Sequence, residues 1–400
     1  MQDLGKLLRI IAACLSLAAV AQQSGASLPA LLQRYQAHPD DYRLCQDIGV
    51  AYTRSEQLDK AAEFFRKAVR LKPDFLPARK NLATVLWFLN HKQESEREFQ
   101  ALVKLLPNDP APRLYLGLAA YDRKQYADAI AHLEKAGALA MENPEVLPVL
   151  AEAYDRLGAP EKAHPMYTRM IALAPDSADA YASFAAFASA HRNNAFALRV
   201  LDQGLGRVPD SAKLWLERGI ILALDGSHEQ SEISFRKAGD RDPRWSLPWL
   251  SLGIGQLERG LFADAAVSFR QAIDREPKDD RARYLLAAAL KRDPAAQDEM
   301  VAALRKAIDL NGGNTRARVA LAEFYAASDR LAAAVSELET AVAGDPRNAA
   351  ALYQLGLAYQ RQGSVEKSRQ TLQEFQKAKA RKQEEETELV QILKTLPAAR

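Results

Sequence analysis

Side chains that could perform chemistry are scattered along this sequence. The six histidines are His38, His91, His132, His164, His191 and His228. None of them pairs with another histidine, a cysteine or a carboxylate at the spacing that a metal site needs. We therefore predict no metal site.

The motifs of common enzyme classes are also missing. Neither a G-x-x-x-x-G-K-[ST] phosphate loop nor an H-E-x-x-H zinc motif occurs. Gly253 and Gly255 have the spacing of a dinucleotide loop, but no strand precedes them. Cys45 stands at an apolar position of the pattern described below, which favours an inert buried thiol over a nucleophile. We predict a chain that is not an enzyme, with no catalytic residue and no cofactor.

The composition favours a helical protein and gives no sign of a nucleic-acid partner. The 400 residues include 54 basic and 51 acidic side chains, a net charge of +3. Nucleic-acid binding usually requires a basic stripe, and this near balance offers none. Apolar residues make up 48% and aromatic residues only 8%, which suits a large core of closely packed helices.

Residues 1–21 have the pattern of a secretory signal peptide. Lys6 and Arg9 precede an apolar run that ends in Ala-Val-Ala at Ala21. The run is shorter than the ~20 apolar residues that span a membrane. We expect cleavage after Ala21 and a mature chain that is exported to a bacterial periplasm or cell envelope.

Two other interpretations of this segment stay open. The sequence Ile-Ala-Ala-Cys ending at Cys14 resembles a bacterial lipoprotein box, in which Cys14 would carry lipid. An uncleaved anchor or a plain capping helix is the other alternative. A membrane partner is expected only if Cys14 is lipidated or the signal is uncleaved. Cleavage at Ala21 would leave Cys45 alone, without a disulfide partner.

The elements that must position any site follow from a ladder of prolines. These stand 34 residues apart, at Pro39, Pro73 and Pro107 and again at Pro175, Pro209, Pro243 and Pro277. Met141 occupies the missing position, and the ladder slips by one residue at Gly312 before it resumes at Pro346. A proline stops one helix and begins the turn to the next. A fixed period over most of a chain predicts a repeat array.

Each repeat has the pattern of two helices with a short turn between them. In residues 246–279 the pattern is carried by Trp249, Leu252, Gly253, Ala265, Phe269, Ala272 and Pro277. The eighth position is always small: Gly49, Ala83, Gly117, Ala151, Ala185, Gly219, Gly253, Ala287, Ala322 and Gly356. We expect two helix backbones to approach closely there.

This pattern resembles the tetratricopeptide repeat family over residues 42–382, about ten repeats, with Gln256 in place of a usual tyrosine. The resemblance implies an all-α fold, a right-handed superhelical solenoid of antiparallel helix pairs. Residues 22–41 would be an N-terminal capping half-repeat. Residues 383–400 would be a C-terminal capping helix and tail. The third and eighth repeats are the least regular.

The resemblance also implies that first helices line a concave face through positions 2, 5, 9, 12 and 13. The predicted groove residues are Trp87, Phe88, Leu114, Leu118, Tyr121, Leu216, Ile220, Leu224, Leu250, Ile254, Leu257, Arg281, Tyr284, Lys291, Arg292 and Arg316. A contiguous apolar patch usually marks an interaction site. The cations could hold a carboxylate.

We therefore expect a scaffold that binds protein or peptide partners and helps to assemble a cell-envelope complex. One alternative is a self-associating structural module, in which a homo-oligomer buries the apolar face. A second is a superhelix that packs its own inner wall, since a one-sided apolar face does not decide exposure. A glycan-directed transferase is disfavoured, because the repeats leave no residues for a transferase domain.

Overall fold

The computed structural model describes residues 26–395, with side chains up to residue 385. This part of the chain contains 22 α-helices, one 3₁₀ turn and no strand, so the prediction of an all-α fold is confirmed. The predicted signal peptide, Cys14 and residues 396–400 lie outside it. No helix within it is long and apolar enough to span a membrane.

Two compact units divide the chain, residues 1–184 and residues 185–400. The first holds α1 Leu28–Ala37, α2 Tyr42–Arg54, α3 Leu58–Leu71, α4 Leu76–Phe88, α5 Lys92–Leu105, α6 Pro110–Asp122, α7 Tyr126–Lys135, α8 Ala138–Met141, α9 Leu147–Arg156 and α10 Pro160–Leu173. Helix α11, Ala178–Ala190, contains the boundary.

The second unit holds α12 Asn194–Arg207, α13 Ala212–Leu224, α14 His228–Arg241, α15 Leu247–Glu258, α16 Phe262–Arg275, α17 Asp280–Leu290, the 3₁₀ turn Pro294–Ala296, α18 Gln297–Leu310, α19 Thr315–Ala327, α20 Leu331–Gly344, α21 Ala349–Arg361 and α22 Val365–Thr395. Within each unit most helices pack on the next helix along the chain. The first helices of repeats 6 to 10 are α13, α15, α17, α19 and α21, and the helix that follows each is its second helix.

Capping side chains and turn geometry fix where the helices begin and end. Asp41 accepts hydrogen bonds from the backbone N–H groups of Arg43 and Leu44, which satisfies donors that have no partner within the helix. The turn between the two helices of a repeat needs a residue with positive φ. Gly226 supplies it in repeat 6 with φ 76°, a conformation that glycine adopts without strain.

The small residue at position 8 lies against a buried side chain of the second helix. A Cβ built on Gly253 would be 2.7 Å from the ring of Phe269, and one on Gly219 would be 2.6 Å from the ring of Phe235. Phe269 is fully enclosed and has no room to retreat. The close approach predicted at this position is confirmed.

Side-chain hydrogen bonds connect the prolines of the ladder to the first helix of the following repeat. Trp215 donates its Nε1–H to the carbonyl oxygen of Pro209 at 3.0 Å. Arg283 donates from Nη2 to the carbonyl oxygen of Pro277 at 2.8 Å. Each donor occupies position 4 of its repeat, six residues after the proline. The proline therefore ends one helix, and its carbonyl anchors the next.

Gln256 makes a repeat-to-repeat contact of the kind that tyrosine makes elsewhere. In repeat 10, Tyr359 donates its hydroxyl to Glu339 of the preceding second helix at 2.5 Å. Gln256 donates its Nε2 to Glu232 of the preceding second helix at 3.3 Å, and its Oε1 accepts from Ser268 at 2.7 Å. Glu232 lies about one turn earlier in its repeat than Glu339 does in its own, which suits the shorter side chain. Both the nitrogen and the oxygen of the Gln256 amide are thus hydrogen-bonded.

The irregular repeats are the two that the sequence indicates. In repeat 3 the second helix stops at Lys135, Gly137 adopts φ 56°, and the short helix α8 follows. In repeat 8 the 3₁₀ turn Pro294–Ala296 accommodates the additional residue. Both repeats keep the small residue at position 8 in the core.

The two ends of the array differ. Helix α1 packs on α2, and its Leu31 is fully buried. At the other end α22 runs unbroken through residue 382, where the sequence suggests a boundary, and residues 379–385 are all exposed. The proposed limits of the cap, the array and the tail stay predictions.

Candidate partner-binding surface

First helices of neighbouring repeats lie side by side in the second unit. Helix α13 contacts α15, α15 contacts α17, and α19 contacts α21. Equal positions of repeats 6, 7 and 8 therefore fall on neighbouring helices. We call positions 2, 9, 12 and 13 of these three repeats the first-helix surface.

Position 5 belongs to the core instead. Leu216 packs with Phe235 and Leu252, and Leu250 belongs to a cluster that contains Phe269. Of the predicted groove residues, four are less than a tenth exposed: Leu114, Leu118, Leu216 and Leu250. Neighbouring helices enclose these side chains, so they stabilise the array rather than offer an open surface. Leu118 is enclosed in this way although it stands at position 9 of its repeat rather than at position 5.

An apolar strip is open on the first-helix surface of repeats 6 and 7. Leu224, at the end of α13, is 71% exposed. Ile220 on the same helix and Ile254 and Leu257 on α15 are half-buried, with one side packed against the core. Such partly covered apolar side chains lose little rotamer freedom when a partner covers the rest.

The predicted residues of the first unit form aromatic contacts. The half-buried ring of Trp87 meets Tyr115 edge-on, with 5.4 Å between ring centroids, and Tyr115 stacks on Phe99 at 4.3 Å. Tyr121 donates its hydroxyl to a carboxylate oxygen of Glu152. Trp87 and Tyr121 are thus held by these contacts, and Phe88 is half-buried.

The basic residues of repeats 8 and 9 divide into two groups. The ammonium of Lys291 lies 2.8 Å from Glu323, and the guanidinium of Arg292 stacks over the ring of Phe262 at 4.8 Å. Arg281 and Arg316 are exposed, and within the described part of the chain no ion pair engages either side chain. Half-buried Tyr284 packs on the core nearby on α17. Two cations thus remain available to an acidic partner.

Titratable groups elsewhere have structural explanations. Burial raises the pKa of the Cys45 thiol, whose sulfur is 3.9 Å from the carbonyl oxygen of Pro39. Burial also raises the pKa of the Glu217 carboxyl, with Lys213 acting in the opposite direction. Burial lowers the pKa of His132. Among the described residues no cluster of histidine, cysteine and carboxylate side chains could hold a metal ion.

One pair of exposed apolar side chains was not among the predicted groove residues. Ile233 on α14 and Val267 on α16 both occupy position 22 and are 49% and 55% exposed. The same position holds Glu63, Arg97 or Arg199 in other repeats, so an alignment of the repeats at this position would have revealed them. They lie on second helices and serve below as a control for the first-helix surface.

Sequence models described as tetratricopeptide repeat match residues 42–75, 80–144, 120–186, 188–244, 250–315 and 350–378, and one described as TPR repeat matches residues 323–363. Together these matches span nearly all of the helix pairs. The chain belongs to the tetratricopeptide repeat family. The family predicted from the proline ladder and the small position 8 is therefore confirmed.

Solved structures resemble this tetratricopeptide repeat protein only loosely, and no curated protein matches it in sequence. Yeast Tom70 is 16% identical, with 93% of each chain covered and a TM-score of 0.41. A tetratricopeptide repeat protein from Parabacteroides merdae is 15% identical over 62% of this chain and 98% of its own, at 0.46. YrrB, described as a TPR protein with an unusual peptide-binding site, is 19% identical over 46% of this chain and 95% of its own, at 0.40. Similarities at this level do not identify a partner for this chain.

Proposed function

We propose that this tetratricopeptide repeat protein is a non-enzymatic scaffold that binds a protein or peptide partner on the first-helix surface of repeats 6 to 8. The observation that carries the proposal is the apolar strip headed by Leu224, 71% exposed beside half-buried Ile220, Ile254 and Leu257. Proteins of this family generally act as interaction scaffolds, which agrees with this use of the surface.

The chemistry of the surface describes its partner. An amphipathic helix or an extended segment would place apolar side chains on the strip. An acidic side chain or a terminal carboxylate would pair with Arg281, or with Arg316 of the following repeat, because a guanidinium donates two parallel hydrogen bonds to a carboxylate. The partner we expect is therefore a peptide segment with apolar anchors and a nearby negative charge.

We further propose that the chain works in a bacterial cell envelope, where it helps to assemble a complex. The support is the basic, apolar and Ala-Val-Ala pattern of residues 1–21. N-terminal sequencing of the exported protein tests this proposal. A mature chain that begins at Gln22 supports cleavage, a lipidated Cys14 supports the lipoprotein alternative, and a chain retained in the cytoplasm contradicts both.

The binding proposal can be tested with two substitutions in repeat 6. Leu224→Glu places a charge in the apolar strip, whereas Ile233→Glu places the same charge on the second helix of the same repeat. Both side chains are substantially exposed, so neither change should disturb the fold. We expect partners captured from an envelope fraction by the parent chain to be lost with Leu224→Glu and retained with Ile233→Glu.

The outcome must then be repeated with the purified partner. A loss of affinity of at least about tenfold for Leu224→Glu is expected if the side chain is a buried anchor. Equal capture by the two variants would contradict the proposal. If Leu224→Glu instead changes only the mass of the chain in solution, the strip is a contact between copies, as the self-association alternative requires.

A further inference from the structure

Glu217 is a half-buried carboxylate beside the first-helix surface. It stands in the middle of α13, three residues before Ile220 and seven before Leu224. Residues at these spacings lie along one side of a helix. The carboxylate therefore shares its side of α13 with the apolar strip, about one turn from Ile220.

The carboxylate of Glu217 has no bonded partner. Within the described part of the chain, no hydrogen bond or ion pair engages it. Half-buried carboxylates on other first helices are bonded to a neighbouring repeat. Glu152 accepts a hydrogen bond from Tyr121, and Glu323 lies 2.8 Å from the ammonium of Lys291. Glu217 is thus placed like a contact residue but makes no such contact.

The missing contact costs stability. Burial raises the pKa of the Glu217 carboxyl, and Lys213 lowers it to a smaller extent. A partly desolvated carboxylate without a bonded cation is unfavourable, and a glutamine of nearly the same shape would avoid this cost. Residues that lower the stability of the free chain are expected at functional sites, where a bound partner supplies the contact that the chain lacks.

We propose that Glu217 binds a lysine or arginine side chain of the segment that covers the apolar strip. This inference rests on the proposed function, because such a cation reaches Glu217 from a segment that lies on Ile220 and Leu224. The carboxylate accepts charge-assisted hydrogen bonds in a partly dehydrated environment, where they are stronger than in water. Glu217 thereby decides which apolar segments bind.

Opposite charges then lie on the two outer helices of the surface. Glu217 is on α13 and Arg281 is on α17, with α15 between them. Two spacings between packed helices are roughly 20 Å, which an extended segment crosses in about six residues. The bound segment therefore has a basic residue at one end, apolar residues in the middle and an acidic group at the other end. This charge pattern fixes the direction in which the segment lies.

A random peptide library displayed on phage tests the assignment. It is selected in parallel on the parent chain, on Glu217→Lys and on the control Glu229→Lys, at an exposed carboxylate of the second helix of the same repeat. Peptides that bind the parent but not Leu224→Glu occupy the strip. We expect these peptides to share a lysine or arginine beside their apolar residues. The control should select the same pattern, whereas Glu217→Lys should select an acidic residue in place of the cation.

A synthetic peptide from the parent selection provides a second measurement. Its affinity should fall about tenfold for Glu217→Gln, and by a similar factor for the parent chain when the cation of the peptide is replaced by glutamine. The two changes together should cost little more than either alone. Because Glu217→Gln is expected to stabilise the free chain, the loss of affinity cannot come from unfolding.

The outcomes separate this inference from the proposed function. Strip-binding peptides without a shared cation would overturn the inference and leave the binding surface in place. So would the same peptide pattern on the parent and on Glu217→Lys, or losses of affinity that simply add in the combined measurement. If no selected peptide depends on Leu224, the proposed surface and this inference fail together.

Discussion

Glu217 is a carboxylate in the middle of α13 whose pKa is raised by burial, above the ordinary value of 4.5. A raised pKa means that the folded chain binds the proton more tightly than the unfolded chain does. The ionised carboxylate therefore costs stability above the folded-state pKa. That cost disappears below pH 4.5, where both states carry the proton.

The first prediction concerns this carboxylate. Glu217→Gln should increase the free energy of unfolding at pH 7 and leave it unchanged near pH 4, as measured by urea unfolding at both values. Glu229→Gln, at an exposed carboxylate on the second helix of the same repeat, is the control. A stabilisation of equal size at both pH values would show that burial of the charge is not its cause.

Single residues were predicted with mixed success. The small position 8 and the burial of Cys45 could be predicted from the sequence, because their neighbours within one repeat decide their environment. The burial of Leu216 and Leu250 could not. Position 5 lies on the same side of the first helix as the open strip, and a helical pattern shows which side is apolar but not what covers it.

At the scale of elements, close contact between the two helices of a repeat depends on a missing methyl group. Gly253 and Gly255 are both within α15, two residues apart. A Cβ at Gly253 would be 2.7 Å from Phe269, whereas one at Gly255 would have no neighbour within 4 Å. The same chemical change should therefore have opposite effects at these two sites.

We expect Gly253→Ala to destabilise the chain by about 1–3 kcal/mol, because the enclosed ring must shift. Gly255→Ala should stabilise it by about 0.5–1 kcal/mol through the greater helix propensity of alanine. Chemical unfolding of the two variants and the parent chain measures both changes in the free energy of unfolding. If both substitutions change that free energy in the same direction, the helix contact is looser than the structure shows.

The hydrogen bonds between repeats could not be predicted from the pattern. The sequence shows only that Gln256 departs from the usual tyrosine. Its bonds to Glu232 and Ser268 depend on how neighbouring helices are placed, and no residue pattern within one repeat contains that information. The capping helix expected after residue 382 is present as part of α22, but the sequence does not show that α22 crosses this residue without a break.

At the scale of the whole molecule, we propose that the first-helix surface of repeats 6 to 8 binds a partner. The sequence predicts the family and the general location of this surface. It does not distinguish the open residue Leu224 from the enclosed residue Leu250, because exposure arises only when neighbouring repeats are stacked.

The central claim is that the strip headed by Leu224 contacts another protein. The most direct measurement replaces Leu224 with the photocrosslinking residue p-benzoylphenylalanine in living cells, with the same replacement at Ile233 as the control. We expect the residue at position 224 to form an adduct with another protein and the residue at position 233 to form none. An adduct only with a second copy of this chain, equal adducts at both positions, or none at position 224 would contradict it.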